Sequence, residues 1–294
     1  MIKRLFKNIS ALAAISAAAV LFSACSSNSG AEASASVKSD TAEKASSAAE
    51  TAGVLEGRDR LDEIKERGYL IVGTEGTWSP YTFHDKDDNL VGFDVELARI
   101  IADHIGVDVK YSETVWSSIF ASFDSGQIDT VINEVSYSDE RAEKYDFSVP
   151  YTFTRHAVLV RSDNTGINSL EDLKGKVAAN NPTSATGQLA VEYGAELDTV
   201  EEMAQSISEV INGRADCTLN TVVAFADYMK THPEAGEKVK IITVTDPEPY
   251  GYIPVQKGNE KLLNAINEAI EAANEDGTLS GLSMKYFDID ITKQ

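Results

Sequence analysis

An α/β fold of two successive blocks, with mostly parallel strands, is what this sequence predicts. Three observations carry it. Short apolar runs such as "YLIVG" (residues 69 to 73) and "DTVIN" (129 to 133) have the length of buried strands. Between such runs lie segments with apolar residues at helical spacing, as in "FDVELARIIADHIG" (93 to 106). The alternation runs once as far as "VPYTF" and begins again at "HAVLVR", which is the rhythm of βα units.

Taken in order, "YLIVG" is a strand, and the segment 93 to 106 puts Val95, Ala98, Ile101, Ala102 and Ile105 on one helical face until Gly106 stops it. "VDVKY" is the next strand, followed by a helix through Ile119, Phe120 and Phe123, the strand "DTVIN", and a helix opened by Ser138. In the second block "HAVLVR" is a strand, and Ser169 with Asp172 opens a short helix. "KVAAN", a helix from Thr183 to Tyr193, "ELDTV", the helix "MAQSISEVING", "DCTL", the helix around "VVAFADYM" and "VKIITV" continue the series. Two helices, "NEKLLNAINEAIEAANEDG" and "LSGLSMKYF", close the chain. Two α/β blocks suggest two lobes with a cleft between them, where ligands sit at the carboxyl ends of strands.

The start of the chain is of another kind. Lys3, Arg4 and Lys7 precede an apolar stretch over residues 9 to 22, too short to span a bilayer comfortably, so residues 1–24 read as a secretory signal. Leu21, Ser23, Ala24 and Cys25 resemble a lipobox, where bacterial signal peptidase cuts before a lipidated cysteine. Cys25 is then a lipidation site, since its only possible disulfide partner is Cys217. Residues 26 to about 53 are nearly all small or polar, with Val37 the one large aliphatic, and cannot bury enough apolar surface to offset chain entropy. Residues 25–53 are expected to be a lipidated, disordered tether to an outward-facing body.

Composition excludes more than it selects. The formal charge is −21, and it grows more negative once the three basic residues of the signal leave, so nucleic acid and anionic membrane surface are poor partners. Two cysteines and four scattered histidines offer no metal-ligand spacing, and neither a phosphate-binding GxxxxGKS nor a nucleophile GxSxG motif is present. Neither a metal nor a cofactor is expected.

Four segments carry a resemblance. "GTEGTWSPYTFHDKDDNLVGFDVELARIIA", "NEVSYSDERAEKYDFSVPYT", "YGYIPVQKGNE" and "DGTLSGLSMKYF", in this order, resemble the family 3 extracellular solute-binding proteins of ABC transporters, which capture polar amino acids. "TEGTWSP" and the second segment are most similar to the cystine-binding branch. The resemblance implies a type II periplasmic-binding fold of two α/β lobes, a hinge and an interlobe ligand cleft. Lobe 1 would take residues 54–152 and 250–294, lobe 2 residues 153–249, with hinge segments near Pro150 to Phe153 and Asp246 to Gly251. It also implies a monomer that hands an amino-acid ligand to a membrane permease, and no enzymatic activity.

A free amino acid presents a carboxylate, an ammonium group and a side chain, so its site needs a cationic fork, an acceptor and apolar walls. Arg141 is the candidate fork, able to grip a carboxylate with two parallel hydrogen bonds, and the matching arginine of the family binds the ligand's α-carboxylate. An exposed arginine pairing with Glu140 or Glu143 is the plainer alternative. Asn133 and Ser136 match ligand-contact positions, although Asn133 at a strand end equally suits turn chemistry. Trp78 and Trp116 match positions that cover the ligand from either side, and could instead be core. Thr183 and Ser184 stand at a helix start suited to an anionic group, or to plain capping.

One position departs from the family. An aspartate that pairs with the ligand's α-ammonium is replaced here by Thr221, so either Glu75 takes over that group or the ligand lacks an ordinary α-amino group. Two other function classes share the fold. A cyclohexadienyl dehydratase-like enzyme would need an acid over the ring, for which Glu75 or Glu134 would serve, and a solute sensor would use the same pocket without a permease.

Overall fold

The computed structural model describes residues 58–294 apart from 244 and 247. The signal segment, Cys25, the tether, and parts of one hinge segment lie outside the described residues. Asp59 caps the first helix, Arg60–Arg67, by accepting the Leu61 N–H, and the helix ends at Gly68 in a left-handed conformation. Its Leu61 and Ile64 turn inward. Strand Tyr69–Thr74 follows at the centre of a three-stranded parallel sheet, flanked by Asp108–Glu113 and Thr130–Val131.

Helix Phe93–Ile105 buries the face its spacing predicts and adds Phe93 and Leu97 to it, then stops at Gly106, whose φ of 83° favours glycine. Helices Glu260–Glu275 and Thr278–Phe287, although last in the chain, pack into the same core: Leu262, Ile266, Ile270 and Leu279 join Leu70, Val72, Phe93, Leu97 and Ile101. Each such side chain contributes about 1.5–3 kcal/mol by leaving water, so this core outweighs any single polar contact in the molecule.

The second sheet has five strands in the order Glu196–Thr199, Val177–Asn180, Cys217–Thr221, His156–Arg161 and Val239–Thr243. The first three are mutually parallel, while His156–Arg161 runs antiparallel to both of its neighbours. The expectation of mostly parallel strands therefore holds in both of these sheets, with this one strand as the exception. The reason is where the chain enters: His156 lies opposite Thr221, the carboxyl end of its neighbour, so the entering strand must run back through the sheet. Apolar side chains cover both faces, Val158, Val160 and Leu219 on one side and Leu159, Ile207 and Phe225 on the other.

The Ser169-to-Asp172 segment opens the short helix its spacing predicts, as a 3-10 rather than an α turn. It forms one 3-10 turn, Glu171–Leu173, and Asp172 turns back to accept the N–H groups of Asn168 and Ser169. The chain passes between the two sheets twice, and the passages lie side by side, with Phe153–Thr154 paired antiparallel to Glu248–Pro249. Among the described residues no helix is long and apolar enough to cross a membrane.

Candidate ligand-binding cleft

A cavity of about 700 Å³, its open mouth included, lies between the two sheets. It is built at the carboxyl ends of strands, where Glu75, Asn133, Asn180 and Asn220 project. Asn133 is fully buried and works as a brace. Its Oδ1 accepts from the Glu75 N–H (2.9 Å) and the Thr74 hydroxyl (3.1 Å), and its Nδ2 donates to Glu75 Oε2 at 2.7 Å. The neighbouring strand ends are thereby locked together, with the Glu75 carboxyl fixed on the cavity wall. Burial pushes that carboxyl up to about 7; the Asn133 amide and the Trp116 backbone N–H oppose the shift, and Glu201 and Glu202 reinforce it.

Trp78 and Trp116 form aromatic walls. Trp78 leans on Tyr81 with ring centroids 4.7 Å apart, and Trp116, the first residue of helix Trp116–Asp124, meets Phe120 edge-on at 5.5 Å. Both indole N–H groups are buried and have no partner. Leaving a buried donor unpaired costs about 1–3 kcal/mol, and both residues line the cavity.

Arg141 sits beside this wall. Ser138 caps the short helix Asp139–Ala142 by accepting the Arg141 N–H, and the side chain turns back across the helix start. One guanidinium nitrogen donates to both the carbonyl and the hydroxyl of Ser136 at 2.9 Å, and the other donates to the Thr183 carbonyl at 3.1 Å. The rings of Trp116 and Phe120 lie 5.4 and 5.2 Å from the guanidinium carbon. Burial lowers its pKa, and Tyr250 and Glu140 oppose that shift.

Across the cavity, helix Ala185–Glu192 begins two residues later than its sequence predicts. Ser184 is the cap, accepting the Gly187 N–H at 3.0 Å and donating to the Asn181 carbonyl at 2.8 Å. Thr183 lies outside the helix, held through its N–H and hydroxyl by Asn181 Oδ1. Gly187 is required here, because a Cβ would stand 2.0 Å from the Asn181 carbonyl oxygen.

The structure thus brings Glu75, Trp78, Trp116, Asn133, Ser136 and Ser184 to the cavity wall. Arg141 and Thr183 are not part of the wall itself; they are joined to each other, and Arg141 is bonded to Ser136 of the wall. Thr221 is set back and fully buried, where its hydroxyl caps helix Val222–Thr231 and lies 3.3 Å from the Tyr81 hydroxyl. Sequence reasoning did not assign Asn180, Asn181, Glu201, Glu202, Met203, Ser206 or Tyr250 to the cavity. Asn180 ties strands by exchanging two hydrogen bonds with Leu219, and Asn181 precedes Pro182 in "NNP", a pattern that favours a turn. Among the lining residues are four glutamates, with no lysine, arginine or histidine.

The fourth glutamate, Glu134, belongs to a buried cluster at the paired passages. Its N–H donates to Asp94 Oδ2 (2.8 Å) and to the Tyr151 hydroxyl (3.1 Å), and Thr152 Oγ1 lies 3.0 and 2.9 Å from its two carboxyl oxygens. The same Thr152 hydroxyl accepts the Gly251 N–H at 2.9 Å. Burial pushes Asp94 up to about 7, and burial together with the Asp94 charge holds Glu134 well above the usual carboxylate range.

Residues 70–289 match the family described as bacterial extracellular solute-binding proteins, family 3. The L-cystine-binding protein TcyA of Bacillus subtilis is 42% identical over 236 residues, covering 80% of this chain and 87% of that protein. The L-cystine solute receptor of Neisseria gonorrhoeae, solved in its unliganded open conformation, is 38% identical with a TM-score of 0.56, covering 80% and 99%. The ancestral amino acid-binding protein AncCDT-1, a precursor of cyclohexadienyl dehydratase, is 35% identical with a TM-score of 0.70, covering 78% and 99%. The fold is accordingly of the type II periplasmic-binding class, two α/β lobes with a hinge and a cleft between them. This chain belongs to family 3 of the bacterial extracellular solute-binding proteins.

Proposed function

We propose that the chain is the lipid-anchored receptor of an ABC importer for a polar amino acid, L-cystine first among the candidates. The observation that carries this reading is the pair of buried, unpartnered indole N–H groups on Trp78 and Trp116, two residues of one cavity wall. Such donors call for an occupant rich in acceptor oxygens, and the glutamates of the same wall suit its ammonium groups. The likeness to cystine-binding relatives supports L-cystine, which carries two carboxylates and two ammonium groups.

In this reading Arg141 takes the ligand carboxylate, exchanging its bond to the Thr183 carbonyl for a paired grip on two oxygens. Ser136 and the Ser184 helix start lie beside that carboxylate, and Asn133 holds Glu75 in place. Residues 54–152 with 250–294 form lobe 1 and 153–249 form lobe 2, turning about the two paired passages. Contacts across the cleft support a closing motion: Ser79 donates to Asp227 at 2.7 Å, and Lys230 meets Asp288 at 2.7 Å. Cys25 anchors the chain at the outer face of the membrane, so a captured solute stays near the permease, and the working unit is a monomer.

A thermal-shift screen of the chain against the twenty amino acids and L-cystine tests this. A ligand at 100 times its dissociation constant adds about 2.7 kcal/mol of stability, and the account predicts a shift of several degrees with L-cystine. No shift with any amino acid would refute it. The likeness to the dehydratase precursor, with a buried Glu75 carboxyl near 7, favours one second reading, an acid-catalysed dehydration. Turnover of prephenate or arogenate by the purified chain, lost in Glu75→Gln, would establish it.

A further inference from the structure

We propose that Glu134 is the carboxylate that receives the ammonium group of the bound amino acid. This rests on the amino-acid reading of the same cleft. Glu134 is 2% exposed, yet its residue forms part of the cavity wall. It is held there against its own backbone preference, with a φ of 47° that side-chain-bearing residues rarely adopt. The two hydrogen bonds from its N–H to Asp94 and Tyr151 fix that conformation.

The chemistry around the carboxyl is one-sided. Its hydrogen-bonding side chains are the neutral hydroxyls of Thr152 and Tyr151, and no ion pair among the described residues includes it. The titratable groups that face it are Asp94 from helix Phe93–Ile105, Tyr151 and Tyr250 from the two passages, and Tyr81. None supplies positive charge. Glu75, by contrast, already accepts from the Asn133 amide and from the Trp116 backbone. Tyr250 feels both the Glu134 carboxyl and the Arg141 guanidinium, so an acid and a base flank one ring of the cavity. An α-amino acid, whose ammonium and carboxylate share one carbon, needs that juxtaposition.

A buried carboxyl beside Asp94 and without a cation holds its proton in the ligand-free protein. When an ammonium group arrives, the Glu134 O–H bond breaks, its proton passes to solvent, and the carboxylate left behind faces the N–H bonds of the ligand. Binding therefore releases a proton and strengthens as pH rises through the carboxyl's folded-state range.

The test is titration of L-cystine into the full chain, dialysed free of ligand, by calorimetry at about pH 6.5 in two buffers of different ionisation heat. The expected result is release of about one proton per bound L-cystine, with affinity at least about tenfold lower and the proton release absent in Glu134→Gln. Should Glu134→Gln fail to fold, the wild-type proton count decides alone, and binding without proton exchange overturns the proposal. Wild-type affinity and proton count in a folded Glu134→Gln overturn it as well. If the wild type binds another amino acid but not L-cystine, the same titration is made with that one. If it binds none, the receptor reading fails, an outcome distinct from failure of Glu134 alone.

Discussion

Two side chains at the cleft give opposite kinds of prediction. Arg141 is a half-buried cation whose partners are all neutral oxygens and aromatic faces, so a ligand carboxylate would be its one full countercharge. Arg141→Ala is expected to cost roughly 2–5 kcal/mol of binding free energy, and calorimetry with L-cystine checks it; unchanged affinity would remove Arg141 from the site. Asp94 is a buried acid pushed up to about 7, above its unfolded value of 3.8. Between those values the folded state holds more protons than the unfolded one, so stability is greatest at low pH and falls as pH rises toward 7. Asp94→Asn should flatten that fall in urea denaturation of the ligand-free protein, by up to about 1.4 kcal/mol per pH unit. A retained slope would place the titration elsewhere. At this scale the sequence shows residue types but not which of their atoms are free. Trp78, Trp116 and Glu75, which the sequence offers as candidates, stand on the cavity wall, whereas Thr221 sits where its hydroxyl caps a helix. Glu201, Glu202 and Tyr250 reach the cavity from distant chain segments and carry no local signal.

Elements are set by simpler rules, and most are legible. Helix Phe93–Ile105 follows from apolar spacing and a terminal glycine, and its Ile101 is fully buried in the main core. Ile101→Ala should lower unfolding free energy by about 2–5 kcal/mol, read from the urea midpoint with unchanged slope. The helix start at Ser184 is less tolerant than its sequence suggests. Gly187→Ala would push a methyl group into the Asn181 carbonyl, and about 1–3 kcal/mol of lost stability is expected with a lower melting temperature. A neutral change would mean that the helix can slide away from Asn181. What the pattern of side chains cannot report is strand direction: an apolar run such as "HAVLVR" reads alike either way, and its antiparallel course follows from where the chain enters the sheet. Nor can spacing show that the last two helices fold back onto the first core, since that contact spans the whole chain.

For the whole molecule, the two passages and the cleft decide behaviour. Thr152 joins both passages to Glu134 through the Gly251 N–H and the carboxyl, so the hinge and the cavity share one buried hydrogen-bond cluster. The Ser79–Asp227 and Arg141–Thr183 bonds bridge the cleft, and each is a polar contact of about 1 kcal/mol, too weak to hold two lobes shut without a ligand between them. Closure driven by a bound amino acid is the central claim. Its most direct test is solution scattering from residues 54–294, cleared of ligand and then saturated with L-cystine. The account predicts a smaller radius of gyration with the ligand than without it. An unchanged radius at saturation would contradict it.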